Sequence, residues 1–372
     1  MKKKILFELD FKNWAFYYLT KAWAEELREE YDFYYFTNDK YRVKPLKNIS
    51  SQYYKLYNFL RNIQYNFLKK FSRVNHTLQF IHPSKKFSYP KHTHPYIYNF
   101  GGDEKPIDDK PEEFDYLFSM AYFFQYIAEH PFKGKKNIVG IFNDCYPHLG
   151  PEKDLKDRTF VNGLTREEFF NKYIKHYDYL LVANKNLENA YLPLTDKVQY
   201  CLGIYKQNEF GKIREEHNTF TLGWTGNPNR SVKGFYEVIV PAVEKVKATG
   251  RNIHLKTAFN FSYEDMITFY NDVDLAVIAS DGDGAPTMFC EASLCGIPSI
   301  STRIGLPSMV IQDRVNGHFI NRDIDEMADA IIYLFDNPDV IKKYASRIKE
   351  DYLNILDNKI QILNFKKILE RA

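Results

Sequence analysis

Two acidic residues, Asp283 and Glu291, flank the start of a predicted helix. The turn Gly284-Ala285-Pro286 follows the first acid, the helix is predicted to begin near Thr287, and the second acid comes about one helical turn later. The acid in the turn can accept hydrogen bonds from sugar hydroxyls, backbone N–H groups at the helix start can meet phosphate, and the second acid can hold a ribose diol. The alternative is structural, with Asp283 as a turn former or helix cap and Glu291 as an exposed acid favoured by the helix dipole.

The same stretch contains the pattern Asp281-Gly282-Asp283, in which paired carboxylates could hold a divalent metal ion. Its context argues against this use, because a helix start follows at once and can take phosphate charge without a metal. We therefore predict no metal ion and no cofactor beyond the substrates.

A second site signal is the turn over residues 223–234, which joins a predicted buried strand to a helix. Glycines such as Gly226 let the backbone approach a ligand closely, and the helix start offers N–H groups to an anion. Arg230 and Lys233 add positive charge, and Asn227 lies between the glycine and these cations. The turn suits a diphosphate. It matches neither a Walker loop nor a dinucleotide fingerprint, so an ordinary turn with exposed cations is the alternative.

Both turns need strands and helices to position them, and short apolar runs alternate with helical segments along the chain. Such runs are typical of buried parallel strands. The predicted strands are Ile5–Leu9, Phe33–Phe36, Tyr116–Ala121, Asn137–Phe142, Tyr179–Ala183, Phe220–Trp224, Ile253–Thr257, Leu275–Ala279 and Ser299–Ser301. The main predicted helices are Trp14–Glu30, Arg166–His176, Gly234–Thr249, Tyr263–Asn271 and Thr287–Cys295. The pattern predicts an α/β protein with two doubly wound parallel sheets and a cleft between them.

The chain length of 372 residues suits two domains of this kind. We predict a first domain at residues 1–205, with a basic aromatic insert at residues 40–98, followed by a polar linker at residues 206–218. The second domain is predicted at residues 219–352. A final helix at residues 353–372 is expected to pack back on the first domain.

The net charge of +3 conceals an uneven distribution. Residues 40–98 contain 12 Lys and Arg and no Asp or Glu, whereas the rest of the chain has 39 basic and 48 acidic residues. Apolar residues recur there at three- and four-residue spacings, which predicts an amphipathic helix with a basic side. Such a helix suits an anionic membrane leaflet, a pyrophosphate-linked lipid or an acidic polymer, or it packs its aromatic stripe inward. No nucleic-acid motif accompanies the charge, so no nucleic-acid partner is predicted.

Other patterns limit the class of protein. No apolar run approaches the roughly 18 residues needed to span a bilayer, and Glu8 interrupts the start of the chain before a signal-peptide core could form. We expect a cytoplasmic protein with peripheral contact at the inner face of the membrane. The four scattered cysteines are expected to be reduced. His92 and His94 could bind a metal ion together, but the insert has no acid or Cys to complete the site. A polar loop accounts for the two histidines.

An ordered set of motifs over about residues 179–335 resembles a known family. The first motif runs from Asp283 to Pro298. It consists of an acid, seven residues, Glu-Ala, and then a small residue, Gly and Pro. Other segments agree with the family pattern in the same order along the chain. They are residues 200–204, the loop ending in Lys233-Gly234, and residues 302–307 with 315–317. This half is similar to the donor domain of the retaining GT-B glycosyltransferases of family 4, also called glycosyl transferase group 1. The resemblance implies two Rossmann-like domains facing a cleft, and a nucleotide-diphosphate sugar as donor.

The resemblance also implies roles for the matched residues. Glu291 would bind the nucleotide ribose, Arg230 and Lys233 the donor diphosphate, and Asp283 the sugar hydroxyls, while the amides of Gly284–Met288 cradle sugar and phosphate. The predicted catalytic residues are Asp283, Arg230, Lys233 and Asp144. The predicted donor-binding residues are Gly226, Asn227, Arg230, Lys233, Gly284, Ala285, Pro286, Thr287, Met288 and Glu291. The other expected partner is a hydroxyl acceptor, lipid-linked or anionic.

The chain departs from the family pattern at several places. The first acid is Asp where the family usually has Glu, and Ser308 stands where an acid often follows. The glycine-rich turn after the first strand is missing. After the strand ending near residue 142 the family often has a histidine, whereas this chain has Asn143 and Asp144, with His148 further on. We predict Asn143 and Asp144 at the cleft, with a helix cap or turn as the alternative.

The expected reaction moves a hexose-type sugar from a nucleotide-diphosphate sugar to a hydroxyl acceptor with retention of anomeric configuration. The expected setting is bacterial cell-surface glycan or glycoconjugate synthesis. The alternatives are a sugar-nucleotide epimerase or a phosphorylase of the same fold, or a non-catalytic protein that binds an anionic surface. A phosphorylase needs a cofactor-bearing lysine in a matching context, which is not evident. The absence of a dinucleotide fingerprint argues against a Rossmann dehydrogenase.

Overall fold

The computed structural model describes most of the chain outside the basic insert. The described residues are 2–10, 12–13, 15–37, 97–100, 106–107, 113–120, 132–150, 163–204, 206–211, 219–259 and 261–372. Residues 40–96 of the insert lie outside them. The amphipathic helix, the roles of His92 and His94, and the membrane contact therefore stay predictions.

Seven described strands form the sheet of the first domain. They are β1 (Lys3–Leu9), β2 (Tyr31–Thr37), β3 (Tyr98–Asn99), β4 (Phe114–Ser119), β5 (Gly134–Ile141), β6 (Tyr179–Val182) and β7 (Val198–Tyr200). Their order is β3-β2-β1-β4-β5-β6-β7. The pairs are parallel, except that β3 runs antiparallel to β2 at the edge. Since the central strands are buried on both faces, they read as continuous apolar runs, as the sequence predicted.

The described helices of the first domain are α1 (Ala15–Leu27), α2 (Arg166–Phe169), which continues into a π-helical turn at Phe170–Ile174, and α3 (Lys185–Tyr191). Trp23 of α1 packs against Phe7 of β1, with ring centroids 6.1 Å apart. The N-cap of α3 is Asn184, whose side chain accepts a hydrogen bond from the amide of Leu187. Asn184 lies two residues after the end of β6, at the carboxyl edge of the sheet.

The second domain has a five-stranded sheet. Its strands are β8 (Phe220–Thr225), β9 (Ile253–Ala258), β10 (Leu275–Ile278), β11 (Ser299–Thr302) and β12 (His318–Ile320). The order is β12-β11-β10-β8-β9, and every pair is parallel. Because β8 and β10 are neighbours, the turns that follow them meet at the carboxyl edge of this sheet.

Six helices cover this sheet and continue the chain. They are α4 (Val240–Lys247), α5 (Tyr263–Phe269), α6 (Thr287–Leu294), α7 (Pro307–Val310), α8 (Ile324–Asp336) and α9 (Pro338–Leu356). Before α4, a short 3-10 turn at Ser231–Lys233 and a π-helical turn at Phe235–Ile239 form the start of the predicted helix. The two doubly wound α/β domains predicted from the sequence are confirmed.

The last helix, α10 (Asn358–Arg371), returns to the first domain. The ring of Phe365 stacks on Trp23 at 4.7 Å and on Phe118 at 5.2 Å, and the hydroxyl of Tyr116 donates to the carbonyl oxygen of Leu369 at 2.7 Å. The final helix was expected to begin at residue 353. Residues 353–356 instead form the last turn of α9, and α10 begins at Asn358.

The segment between the domains is held by the α9–α10 junction. The side chain of Asn358 accepts from the amide of Ile204 at 3.0 Å and donates to its carbonyl at 2.8 Å, as a neighbouring strand would. Gln361 accepts from the amide of Leu202 at 2.9 Å. The predicted linker begins with a 3-10 turn at Gln207–Glu209, and residues 212–218 lie outside the described residues. Among the described helices, we find none with the length and apolar character needed to cross a bilayer.

Candidate functional site

The turn after β8 places the predicted diphosphate residues on the surface of the second domain. The amide of Gly226 donates to Ala258 at the end of β9, and the side chain of Asn227 accepts from the amide of Asn229, which shapes the turn. Arg230 is exposed, whereas Lys233 is half-buried. The turn therefore presents one exposed cation and one partly covered cation.

Lys233 forms an ion pair with Asp283, the acid that follows β10. Both side chains are largely covered, at 19% and 15% exposed. The contact joins the two turns that were singled out separately in the sequence. It also places a cation beside a hydrogen-bond acceptor, which is the arrangement that a phosphate next to a sugar hydroxyl requires.

The acids of the Asp281-Gly282-Asp283 pattern are held by different cations. Asp281 lies 3.4 Å from a guanidinium nitrogen of Arg322, and Asp283 pairs with Lys233. In the part of the chain that the structure describes, no group of three or more His, Cys, Asp or Glu side chains is placed to hold a metal ion.

Helix α6 begins directly after this turn, with Pro286 as its N-cap and no side-chain cap hydrogen bond. Asp283 therefore does not cap the helix. Thr287 is exposed at the first position, and Met288 is buried with its sulfur 3.2 Å from the amide of Thr225. Gly284 and Ala285 complete the run of residues predicted to cradle the donor. The first amides of an uncapped helix favour an anion.

Glu291 lies inside α6 and is buried, only 7% exposed. The alternative that it is an exposed first-turn acid is therefore wrong. The hydroxyl of Tyr270 donates to Oε2 of Glu291 at 2.6 Å. Burial raises the pKa of Glu291 to about 7, against the lowering effect of the Tyr270 hydrogen bond. A buried carboxylate with one protein donor has acceptor capacity left for a ligand hydroxyl.

Asp144 belongs to the first domain but accepts a hydrogen bond from the second. Its Oδ2 accepts from the amide of Gly305 at 2.6 Å, and its Oδ1 accepts from Nδ2 of Asn184 at 3.1 Å. Burial raises the pKa of Asp144 to about 6, and the charge of nearby Asp283 acts in the same direction. The structure thus places Asp144 at the domain boundary beside Asp283, as a group engaged by both domains.

The neighbours of Asp144 have structural contacts. The side chain of Asn143 accepts from the amide of Cys145 at 3.2 Å, which matches the turn alternative for Asn143. His148 is buried in the first domain, with Nδ1 2.7 Å from the hydroxyl of Tyr191 and its ring against Phe169.

Gly305 allows the turns of the second domain to approach each other closely. Its φ is +26°, and a Cβ atom there would lie 2.2 Å from the carbonyl oxygen of Asp283 and 2.4 Å from that of Gly284. Neither backbone oxygen can move without displacing the turn. The glycine is therefore required by both its conformation and its surroundings.

We expect Gly305→Ala to lower the free energy of unfolding by about 2 kcal/mol more than Gly250→Ala. Gly250 also has a positive φ, +84°, but nothing lies within 4 Å of its added Cβ. Both variants carry backbone strain, and only the first adds a clash. Urea unfolding of the two proteins measures the difference, and equal losses would show that the close approach at Gly305 is not constraining.

Three residues of the site were not found from the sequence. Arg322 donates to the carbonyls of Ala279 at 3.0 Å and Ser231 at 2.8 Å, 43 and 91 positions away, and so ties the two turns together. Tyr270 lies 21 positions from Glu291. Asn184 lies 40 positions from Asp144, its hydrogen-bond partner. Each is a single polar residue outside any motif, so no spacing pattern points to it.

The family comparison matches the part of the chain that carries this site. Residues 207–337 match the family model described as Glycosyl transferases group 1. Over these residues the chain is similar to that family. The match contains all five strands of the second sheet and both turns joined by Lys233 and Asp283. Among curated protein sequences, no match to the chain was found.

Solved structures resemble the chain in fold at low sequence identity. Sucrose-phosphate synthase from Thermosynechococcus elongatus is 12% identical over 100% of this chain and 99% of that chain, with a TM-score of 0.60. Anabaena Alr3699/HepE in complex with UDP and glucose is 12% identical over 100% of both chains, with a TM-score of 0.56. A point mutant of S. aureus TarM in complex with Fondaparinux, alpha-GlcNAc-glycerol and UDP is 15% identical, with a TM-score of 0.50.

The match to the TarM mutant covers 68% of this chain. This chain spans only 55% of the TarM chain, which is about half of its length. Similarity at these identities shows the fold, which is GT-B, as predicted.

Proposed function

We propose that the protein transfers a hexose-type sugar from a nucleotide-diphosphate sugar to a hydroxyl acceptor, with retention of anomeric configuration. The observation that carries the proposal is the contact of Lys233 with Asp283 at the uncapped start of α6, with the buried Glu291 about one turn into the helix. These groups offer, in order, a cation, an acceptor for sugar hydroxyls, helix amides and an acceptor for a diol. A sugar nucleotide presents a diphosphate, sugar hydroxyls and a ribose diol, which are the matching groups.

In this proposal each group has one task. Arg230 and Lys233 neutralise the diphosphate, Asp283 holds donor-sugar hydroxyls, and Glu291 holds the ribose diol. The amides over residues 284–288 bind phosphate and sugar. An acceptor hydroxyl attacks the anomeric carbon on the face that the nucleotide leaves, and the departing β-phosphate takes the proton. The protein contributes positioning and charge neutralisation.

We further propose that the reaction needs no metal ion. The acids of the Asp281-Gly282-Asp283 pattern are already held by Arg322 and Lys233, which supports this interpretation. The proposed setting remains the synthesis of a cell-surface glycan or glycoconjugate, with the basic insert directed to an anionic acceptor. That part rests on the charge of residues 40–98 alone.

The experiment is a panel of sugar nucleotides incubated with the full chain, with nucleotide release as the readout. UDP-glucose and UDP-GlcNAc are tested first, because the structural neighbours include Anabaena Alr3699/HepE in complex with UDP-glucose and TarM with UDP and alpha-GlcNAc-glycerol. We expect release from one donor above the rest, unchanged by EDTA. Silence across the panel, with and without candidate acceptors, would contradict the transferase, and strict metal dependence would revive the metal site.

The role of Asp283 is tested with the donor that the panel selects. Asp283→Asn keeps the shape of the side chain but removes the charge that pairs with Lys233. We expect reduced turnover of that donor. Unchanged turnover would show that Asp283 does not act on the donor sugar.

A further inference from the structure

Asn184 joins the two domains through its side-chain amide. It follows β6 in the first domain and is fully buried. Its Nδ2 donates to Oδ1 of Asp144 at 3.1 Å and to the carbonyl oxygen of Gly284 at 2.9 Å. Gly284 is the residue after Asp283, so this amide holds the backbone of the turn that carries the proposed sugar-binding acid.

The orientation of the amide is determined by its partners. Oδ1 of Asn184 accepts from the amide of Leu187 at 2.9 Å, while Nδ2 faces two oxygen atoms. Exchanging the oxygen and nitrogen would place a donor against a donor and an oxygen against two acceptors. Both N–H groups are therefore committed to the domain boundary, and the helix cap uses the oxygen alone.

The same turn is enclosed from its other side. Gly305 packs on the backbone oxygens of Asp283 and Gly284, and its amide donates to Oδ2 of Asp144 at 2.6 Å. The carboxylate of Asp144 thus links Asn184 on one side to Gly305 on the other. Separation of the domains would break the hydrogen bonds from Asn184 to Gly284 and from Gly305 to Asp144.

We propose that Asn184 is a positioning residue that sets the turn over residues 283–288 in its working geometry only when the two domains are together. This rests on the proposed function for the meaning of "working", but the geometry of the turn is measurable without it. Asn184 does not touch the reacting atoms. It acts through Gly284, and so couples closure of the cleft to the arrangement of the donor-binding groups.

Two substitutions separate this role from that of a helix cap. Asn184→Ser and Asn184→Asp both keep a good N-cap for α3. Serine lacks the amide donors, and aspartate places oxygen against the carboxylate of Asp144 and the carbonyl of Gly284. We expect hydrogen exchange of the peptide over residues 284–289 to be about tenfold faster in Asn184→Ser, and faster still in Asn184→Asp. Exchange in the peptide over residues 187–191 should be unchanged in both.

The outcomes decide the proposal whatever the activity of the protein. Unchanged exchange over residues 284–289 in both variants, or a rise confined to residues 187–191, would overturn it. If Asn184→Asp does not fold, Asn184→Ser decides alone.

With the donor selected by the panel, we expect kcat to fall at least tenfold in Asn184→Asp. If Asn184 served only as the cap of α3, kcat of this variant would stay at the wild-type value, because aspartate keeps the cap. A wild-type protein silent across the panel would contradict the proposed transferase and leave the exchange result standing.

Discussion

Replacement of Lys233 by methionine is expected to lower kcat/KM by about a hundredfold to a thousandfold for the donor that the sugar-nucleotide panel selects. The ammonium group is held beside Asp283 in a largely covered position. In the proposed function it lies where charge develops as the diphosphate leaves. Removal of one such preorganised group costs about 3–4 kcal/mol of transition-state stabilisation. Methionine keeps the unbranched stem, so the loss reports the charge more than the packing.

The division of the effect between kcat and KM tests the mechanism. If Lys233 stabilises the leaving diphosphate, kcat falls; if it binds the diphosphate equally before and during the reaction, only KM rises. The matched control is Lys245→Met in the same domain, where the lysine pairs with Asp325 at 2.8 Å but is 47% exposed. Such an exposed pair contributes little, so we expect wild-type kinetics there. Equal kinetics in the two variants would remove Lys233 from the site.

Glu291→Gln is expected to change the pH dependence of stability. In the folded protein burial raises the pKa of Glu291 from 4.5 to about 7. Between these two values the folded state binds a proton that the unfolded chain has released, so the free energy of unfolding falls as the pH rises. For a shift of this size the loss from Glu291 amounts to about 3 kcal/mol between pH 4 and pH 8. Glutamine has no proton to lose, and its oxygen can still accept from Tyr270.

The measurement is urea unfolding of the wild type and Glu291→Gln from pH 4 to pH 8. We expect the stability of the variant relative to the wild type to rise by about 3 kcal/mol across this range. Asp144 also has a raised pKa, but it is present in both proteins and cancels in the comparison. Parallel stability curves would show that Glu291 is not desolvated. In the proposed function, ribose hydroxyls would offset part of this cost by donating to the ionised carboxylate.

The fold was predictable because its main signals are local. Buried parallel strands read as short apolar runs, and the predicted Tyr179–Ala183 and Leu275–Ala279 each extend one residue beyond β6 and β10. Other boundaries were less accurate. The predicted helix Arg166–His176 is a short α-helix that continues as a π-helical turn. The antiparallel edge strand β3 was not predicted, because the sequence has no period-2 pattern there. These details depend on packing rather than on propensity.

The turn that we propose binds the donor stood out in the sequence for the same reason. Asp283, Glu291 and the small residues between them are adjacent in the chain, so the turn, the helix start and the spacing of the acids are written in one stretch. The contact between Lys233 and Asp283 spans 50 positions, and the sequence indicated its two ends without joining them. The order of β8 and β10 in the sheet brings these ends together.

By itself the sequence determined the α/β class, the two domains and the residue types of the two turns proposed to bind the donor, because each depends on residues close together in the chain. Only the tertiary structure decided how Asp144, Asn184 and Glu291 are used. Burial of Glu291 beside Tyr270 raises its pKa, and the amide of Gly305 engages Asp144 from the opposite domain. Desolvation and contacts between distant segments arise only when the chain packs, so no local pattern can encode them.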